Sequence, residues 1–167
     1  MRQPPPHLRI VPAELSHVPL ILSFIGKLAD YERLTHELSV DEAGLREFLF
    51  GTRPAAEVIL AFLGERPVGY AIFFTTFSSF VCRPGHFLED LFVDADVRGL
   101  GIGKALLAYL AKLTKERGYS RLEWAVLDWN QPSIEFYRKL GAEALDEWTA
   151  YRLTGSALDM LARDAPV

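Results

Sequence analysis

Three glycines at alternate positions constrain most strongly how this 167-residue chain can fold. They lie in Asp96–Lys104, Asp-Val-Arg-Gly-Leu-Gly-Ile-Gly-Lys, between an apolar run that ends at Val93 and a periodic segment that begins near Lys104. Glycine removes the Cβ from one side of such a turn, so successive backbone N–H groups can converge on an anion. The helix that follows offers its positive end to the same anion. We interpret the segment as a phosphate-binding turn between a strand and a helix.

The spacing of the glycines excludes two common phosphate-binding motifs. A dinucleotide Gly-x-Gly-x-x-Gly would need glycine where Lys104 or Leu106 stands. A Walker A loop would need Ser or Thr where Ala105 stands, and glycine in place of Arg98. Arg-x-x-Gly-x-Gly remains, and the turn alone leaves open a glycine-rich connection that binds no ligand.

Hydrophobic periodicity predicts a mixed α/β fold with alternating strands and helices. In chain order we expect a strand at Leu8–Val11, a helix at about Val18–Arg33, a helix ending at Gly51, a hairpin of Glu57–Leu63 and Val68–Phe74, a strand at His86–Val93, a helix at Lys104–Arg117, a strand at Arg121–Leu127, a helix at Ser133–Leu140, a strand at Glu147–Leu153 and a short helix at Thr154–Arg163. Ser16 and Ser39 are candidate N-caps of the first two helices. Phe73–Phe80 could be core or the lining of a substrate cleft, and we expect core because aromatic runs in strands are usually buried. The helix between the strands that end at Val93 and Leu127 makes these two strands expected parallel neighbours.

Two adjacent carboxylates, Glu89 and Asp90, lie inside an otherwise apolar strand. Alternation sends them to opposite faces, so at least one should meet the core or a cleft. Because such a placement costs free energy, we interpret the pair as functional. The alternative is one solvated acid and one acid that is hydrogen-bonded for structural reasons.

Composition limits the class of protein. We expect a flexible N-terminus at residues 1–7 and a single domain at residues 8–167. The net charge of −4 does not indicate a nucleic-acid-binding surface. The one cysteine, Cys82, fits a reducing compartment, and without a signal peptide or a membrane-length apolar run we expect a cytoplasmic protein without membrane contact. The spacing of the histidines predicts no metal site: His7, His17, His36 and His86.

Two segments together resemble the signature of the GNAT acetyltransferase superfamily. The first is Arg98–Gly103, and the second is Asn130–Ala142, Asn-Gln-Pro-Ser-Ile-Glu-Phe-Tyr-Arg-Lys-Leu-Gly-Ala. More narrowly, Leu88–Val93, the run Trp129–Tyr137 and the helix end Leu28–Glu32 resemble the diamine acetyltransferase family, which includes spermidine/spermine and thialysine N-acetyltransferases. This resemblance implies a central mixed sheet flanked by helices, acetyl-CoA as co-substrate and a homodimer.

The resemblance implies that a substrate amine attacks the thioester carbonyl of acetyl-CoA directly. A free alkyl amine has a pKa of about 10.4, so near neutral pH it must lose a proton before it attacks. Glu89 aligns with the acid of the family and is the first candidate for accepting that proton through water, with Asp90 second. Tyr137 aligns with the tyrosine that protonates the leaving thiolate.

The same alignment implies two sets of binding residues. The expected cofactor set is Leu91, Phe92, Val93, Arg98, Gly99, Leu100, Gly101, Ile102, Gly103, Lys104, Asn130, Gln131, Pro132, Ser133 and Tyr137. The expected substrate set is Tyr31, Glu32, Glu89, Glu123, Trp124 and Ala125. Glu32 and Glu123 could attract a second cationic centre of a diamine, although each could equally be an ordinary solvated acid.

The prediction is therefore an acetyl-CoA-dependent N-acetyltransferase that acts on a primary amine of a small cationic substrate. A polyamine, a diamine or a thialysine-like amino acid is the favoured acceptor. Two alternatives stay open at this point. A protein acetyltransferase for lysine or N-termini would have an open groove, and a non-catalytic CoA-binding sensor would need the glycine turn but no proton donor.

Overall fold

The computed structural model describes residues 4–166. Met1–Gln3, which belong to the N-terminal segment predicted to be flexible, and Val167 lie outside the described residues. The chain divides after Ala125 into two compact units. The single domain expected at residues 8–167 stays a prediction.

The first unit contains a five-stranded sheet with strands in sequential order. The strands are β1 at Leu8–Pro12, β2 at Glu57–Leu63, β3 at Arg66–Ser78, β4 at Arg83–Val93 and β5 at Leu122–Trp124. Neighbouring strands are antiparallel except β4 and β5, which are parallel. The predicted hairpin and the predicted parallel pair are thus confirmed, but the last strand is shorter than the expected Arg121–Leu127.

Three helices of this unit pack on the sheet: α1 at Val18–Glu32, α2 at Glu42–Phe50 and α3 at Ile102–Glu116. Side chains of α1 and α2 share one core with strand residues, including Tyr70 and Phe92. Phe24 of α1 stacks on Tyr70 at 5.4 Å between ring centroids with an interplanar angle of 6°. Helix α3 contacts β4 most extensively and buries Leu106 and Leu110. The mixed α/β prediction is confirmed.

Both predicted N-caps are wrong. Asp41, not Ser39, caps α2, because its Oδ1 accepts a hydrogen bond from Gly44 N at 2.7 Å, three residues into the helix. Helix α1 follows a short 3-10 turn and has His17, not Ser16, at its N-cap.

The aromatic end of β3 is only partly core. Phe73 is buried, as expected, but Phe77 and Phe80 are 64% and 96% exposed. Phe77 pairs with Pro84 near the tip of the β3–β4 hairpin. The expectation that the whole aromatic run is buried is therefore wrong.

The second unit contains two helices, α4 at Gln131–Lys139 and α5 at Gly155–Arg163. Pro132 lies in the first turn of α4, where its missing N–H costs no hydrogen bond. The strand expected at Glu147–Leu153 is absent, since this stretch is irregular backbone. Because the described part of this unit, residues 126–166, contains no strand, a β-segment there has no ladder partner within the unit.

Candidate active site

A β-bulge at Glu89 determines which side chains of β4 meet the core. Asp90 pairs with Ile72 of β3 while Leu88 pairs with Phe73, so Glu89 is an extra residue without an opposite partner in β3. Ile72 and Phe73 point to opposite faces of the sheet because they are consecutive. Leu88 and Asp90 therefore also lie on opposite faces, although they are two residues apart.

The bulge thus moves Asp90 to the α1 face of the sheet. Its neighbour two residues on, Phe92, pairs with Tyr70 and lies 6.1 Å from the ring of Phe24 in α1. His86, before the bulge, instead contacts Thr114 of α3. Strict alternation would have left Asp90 on the face of His86. Bulges often re-aim a side chain in this way next to active sites.

Of the two adjacent carboxylates, Asp90 meets the core, as expected for at least one of them, whereas the side chain of Glu89 is exposed. The hydroxyl of the fully buried Tyr70 donates a hydrogen bond to Asp90 Oδ2 at 2.8 Å. Burial raises the pKa of Asp90 and the negative charge of Glu89 raises it further, while the Tyr70 hydrogen bond lowers it. Asp90 is therefore a half-buried carboxylate that accepts a hydrogen bond from a buried phenol.

A second carboxylate, Glu32 at the end of α1, lies within the electrostatic reach of Asp90. Burial and then the charge of Asp90 raise the pKa of Glu32. Burial, followed by the charge and the hydrogen bond of Asp90, also raises the pKa of Tyr70. Glu32 and Asp90, which we call the acid pair, thus form one electrostatically coupled group from α1 and β4.

The predicted substrate residue Tyr31 is in contact with the predicted cofactor residue Arg98. The Arg98 guanidinium carbon lies 4.4 Å from the centroid of the Tyr31 ring and 5.4 Å from that of Phe92. Arg98 Nε also donates to Val93 O at 2.9 Å. The stacked guanidinium therefore joins the end of α1, the end of β4 and the start of the glycine turn.

The glycine turn has the geometry of an anion-binding site. Gly99 and Gly101 have φ angles of +78° and +86°, and α3 begins at Ile102 directly after them. No side chain caps the helix at Gly101, so the first backbone N–H groups of α3 can donate hydrogen bonds to a ligand. The amides and the helix dipole together suit phosphate oxygens. The geometry of Arg98–Lys104 therefore suits an anion such as phosphate, while cofactor binding by these residues stays a prediction.

Two ionic contacts anchor this turn, and sequence reasoning missed them. Arg66 at the start of β3 donates to both oxygens of Asp96 at 2.7 and 2.9 Å. Lys27 of α1 donates to Asp94 Oδ1 at 2.8 Å. The partners are 30 and 67 positions apart, so no local pattern could have identified them. Both contacts hold the turn between β4 and α3 against the rest of the unit.

The predicted substrate residues of β5 lie beside a short parallel pairing. Leu88 of β4 pairs with Trp124, and within residues 4–125 no β5 pairing continues past this point. Arg121 Nε and Glu123 Oε2 form an ion pair at 2.7 Å. Glu123 already has a cationic neighbour, so a substrate cation would compete with Arg121, and the roles of Glu123, Trp124 and Ala125 stay predictions.

The second unit carries the other predicted residues on α4. Asn130 is buried and its Oδ1 accepts from Ser133 N at 3.3 Å, which makes Asn130 the N-cap of α4. Gln131 Nε2 donates to Asp128 O at 2.9 Å. The ring of the half-buried Tyr137 lies 5.3 Å from that of Phe136. These contacts fix the start of α4, while cofactor binding by this segment and proton donation by Tyr137 stay predictions.

The described residues, 4–166, contain neither a candidate metal site nor a candidate membrane-spanning helix. No group of three or more His, Cys, Asp and Glu side chains there could hold a metal ion. No helix there combines the length and the apolar character needed to cross a membrane.

Comparison with known families assigns the class of protein. The model of the acetyltransferase (GNAT) family matches residues 26–142, which include the acid pair, the glycine turn and α4. The chain belongs to this family and is an N-acetyltransferase. Enzymes of the family generally use acetyl-CoA as the acetyl donor.

Particular relatives are similar over most of the chain. The L-ornithine N5-acetyltransferase of Arabidopsis thaliana is 31% identical, covering 92% of this chain and 87% of the relative. The thialysine N-epsilon-acetyltransferase of Mus musculus is 35% identical, covering 85% of this chain and 89% of the relative. Among solved structures, an integron cassette protein from V. cholerae matches with a TM-score of 0.79 at 27% identity, covering 95% of this chain and 99% of that one.

Proposed function

We propose that this enzyme transfers the acetyl group of acetyl-CoA to a primary amine of a small cationic substrate. The favoured acceptors are a polyamine, a diamine or a thialysine-like amino acid. The observation that carries the proposal is the acid pair, Glu32 and Asp90, next to the bulge on the strand that leads into the glycine turn. Two half-buried carboxylates favour an ammonium group over a neutral acceptor. The names of the ornithine and thialysine relatives support an amino acid with a side-chain amine.

On the acceptor side, we assign proton removal to Glu89 first and to Asp90 second. Glu89 is exposed at the bulge, so water can carry the proton from the ammonium group to its carboxylate. Asp90, which is held by Tyr70, suits electrostatic attraction of the cation. Tyr31, Glu32, Glu123, Trp124 and Ala125 complete the proposed substrate set. The deprotonated nitrogen then attacks the thioester carbonyl carbon.

On the donor side, Arg98–Lys104 are proposed to bind the pyrophosphate, and backbone groups of Leu91–Val93 the pantetheine arm. Asn130–Ser133 are proposed to contact the cofactor as well. As the new C–N bond forms, the C–S bond breaks, and Tyr137 donates its phenolic proton to the leaving thiolate. The products are the acetylated amine and free CoA.

Replacement of Tyr137 by phenylalanine tests the proton donor. We expect Tyr137→Phe to lower kcat by about 10²-fold or more, the size of a general-acid contribution. The Kd for acetyl-CoA, measured by titration calorimetry, should change little because the ring remains. Tyr151→Phe, at a 94% exposed tyrosine, is the matched control and should leave kcat unchanged. Unchanged turnover in Tyr137→Phe would remove Tyr137 from the mechanism.

The acceptor is identified by measuring the release of CoA thiol against a panel of amines. The panel contains spermidine, spermine, putrescine, thialysine, ornithine, lysine and a lysine-bearing peptide. Turnover of one class of small amine supports the proposal and names the substrate. Turnover of the peptide alone favours a protein acetyltransferase instead. If no amine in the panel causes CoA release although acetyl-CoA binds, a CoA-binding sensor is favoured.

We also propose a cytoplasmic homodimer. The dimer follows from the family resemblance, and the exposed single Cys82 suits a reducing compartment. Light scattering should give twice the chain mass of 18.8 kDa, and a single-chain mass at working concentrations would contradict the dimer. Cell fractionation tests the location.

A further inference from the structure

We propose that Tyr70 is a positioning residue of the acetyl-transfer reaction: its buried hydroxyl fixes the orientation of the Asp90 carboxylate that the ammonium group of the substrate meets. The inference rests on the proposed function for its substrate. It concerns a residue for which neither the glycine turn nor the α4 motif gave any signal. The contact itself, from Tyr70 hydroxyl to Asp90 Oδ2, measures 2.8 Å.

The register of the sheet brings the two side chains together. Tyr70 pairs with Phe92 and Ile72 pairs with Asp90, so Tyr70 and Asp90 are diagonal neighbours on one face. A diagonal separation is within the reach of an aromatic side chain. Without the bulge at Glu89, Asp90 would lie on the opposite face, and the hydrogen bond could not form.

The ring of Tyr70 cannot swing away from this position. It is fully buried and stacks on Phe24 with an interplanar angle of 6°. A buried aromatic ring that is packed in this way holds its hydroxyl at a fixed point, unlike a long flexible donor such as lysine. The fixed donor therefore selects one orientation of the Asp90 carboxylate and leaves Oδ1 for a second donor.

Packing alone does not explain the hydroxyl. The buried aromatic neighbours of Tyr70 on this face, Phe24 and Phe92, are phenylalanines, and a phenylalanine at position 70 would fill the same space without a polar atom. A buried phenol needs a hydrogen-bond acceptor, and the acceptor here is the half-buried acid of β4. The pair is thus a polar contact within an otherwise apolar core, which suits a functional role.

The hydroxyl also favours the charged form of Asp90, because its hydrogen bond lowers the pKa of that carboxyl. The ionisable groups around Asp90 are Glu89 on its own strand, Tyr70 on β3 and Glu32 on α1. Burial and Glu89 raise the pKa of Asp90, and the hydrogen bond from Tyr70 opposes them. Loss of the hydroxyl should therefore let Asp90 keep its proton to higher pH, where it no longer attracts an ammonium group.

The test compares Tyr70→Phe with the wild type on the amine that the panel identifies. We expect the acid limb of the kcat/KM profile to move to higher pH, and the KM for the amine near neutral pH to rise roughly tenfold, as for loss of a hydrogen bond to a charged group. The KM for acetyl-CoA should stay unchanged. Tyr119→Phe removes a hydroxyl elsewhere in the same unit and should leave the profile in place. A Tyr70→Phe profile that is lower but not shifted indicates a structural role and overturns the inference.

A second variant separates positioning from packing. In an Asp90→Asn background, Tyr70→Phe should have no further effect on the KM for the amine, because Tyr70 acts through Asp90. A full additional effect in that background overturns the inference.

A readout without substrate distinguishes this inference from the proposed function. Carbon-13 NMR of the Asp90 carboxyl group should give a higher titration midpoint in Tyr70→Phe than in the wild type. Identical midpoints overturn the inference, whatever the turnover. A wild type that acetylates no amine overturns the proposed function instead, and the higher midpoint would still support the Tyr70–Asp90 coupling.

Discussion

At the scale of single residues, Gly99 is required by the backbone and not by packing. Its φ angle of +78° lies in the left-handed region, which costs an L-residue about 1–2 kcal/mol. A Cβ on Gly99 would meet no atom within 4 Å. The backbone angle is therefore the whole constraint, and it sets the direction in which the turn enters α3.

Alanine substitution at two glycines separates these effects. Gly99→Ala should lower the free energy of unfolding by about 1–2 kcal/mol and weaken CoA binding. Gly26→Ala is the matched control, because Gly26 lies inside α1 and a Cβ there also meets no atom within 4 Å. This control should raise the free energy of unfolding by about 0.5–1 kcal/mol. Urea unfolding measures both, and equal losses in the two variants would contradict the argument.

At the scale of elements, a buried histidine joins α3 to the sheet. The Thr114 hydroxyl donates to Leu110 O at 2.6 Å, so Thr114 Oγ1 accepts from His86 Nδ1–H at 2.8 Å. His86 Nε2 then accepts from Arg117 at 3.1 Å, and Arg117 also donates to Glu57 of β2 at 2.7 Å. This arrangement needs a neutral imidazole and links β4, α3 and β2.

The network predicts a loss of stability on acidification. Burial lowers the pKa of His86 from its ordinary 6.5, and the charge of Arg117 lowers it further. Below about pH 6.5 the unfolded chain binds more protons than the folded one. As the pH falls, the free energy of unfolding therefore decreases by up to about 1.4 kcal/mol per pH unit. Urea unfolding between pH 5 and 7 should give this slope, while His86→Gln should remove it. Parallel curves for the two proteins would exclude His86 as the cause.

A separate acid transition belongs to Glu57. The hydrogen bond from Arg117 lowers the pKa of Glu57 below its ordinary 4.5. Its stabilising contribution is thus present above about pH 4.5 and is lost as the pH falls through the folded-state pKa of Glu57. This lower window keeps the Glu57 contribution apart from that of His86.

Periodicity in the sequence predicts elements better than it predicts side-chain direction. The glycine turn, α3 and the parallel β4–β5 pair follow from local patterns and from the βαβ rule, and all three are present. The bulge at Glu89 breaks the period of two and carries no sequence signal of its own, so the contact between Asp90 and Tyr70 could not be predicted. The absent strand at Glu147–Leu153 shows that a β-pattern in the sequence is not sufficient to form a strand, because a strand also needs a partner strand.

At the scale of the whole molecule, the net negative charge and the acid pair should attract the proposed cationic substrate before it binds. The chain carries a net charge of −4, and a cationic amine approaches it down a potential gradient that salt screens. The Debye length falls from about 30 Å at 0.01 M to about 8 Å at 0.15 M ionic strength. Since the electrostatic attraction scales with the charge of the ligand, salt should weaken the attraction of a diamine more than that of a monoamine.

Salt titration of the kinetics therefore tests how the molecule attracts its substrate. Over about 0.01 to 0.15 M ionic strength, kcat/KM for a diamine should fall, and the slope of its logarithm should be about twice that for a monoamine of the same chain length. The kcat at saturation should stay constant, because screening acts on encounter and not on the bound complex. Asp90→Asn should reduce the diamine slope, whereas Glu47→Gln, an acid on α2 outside the proposed site, should change it little. Equal slopes for the two amines would show that the field of the molecule does not select the charge of the acceptor.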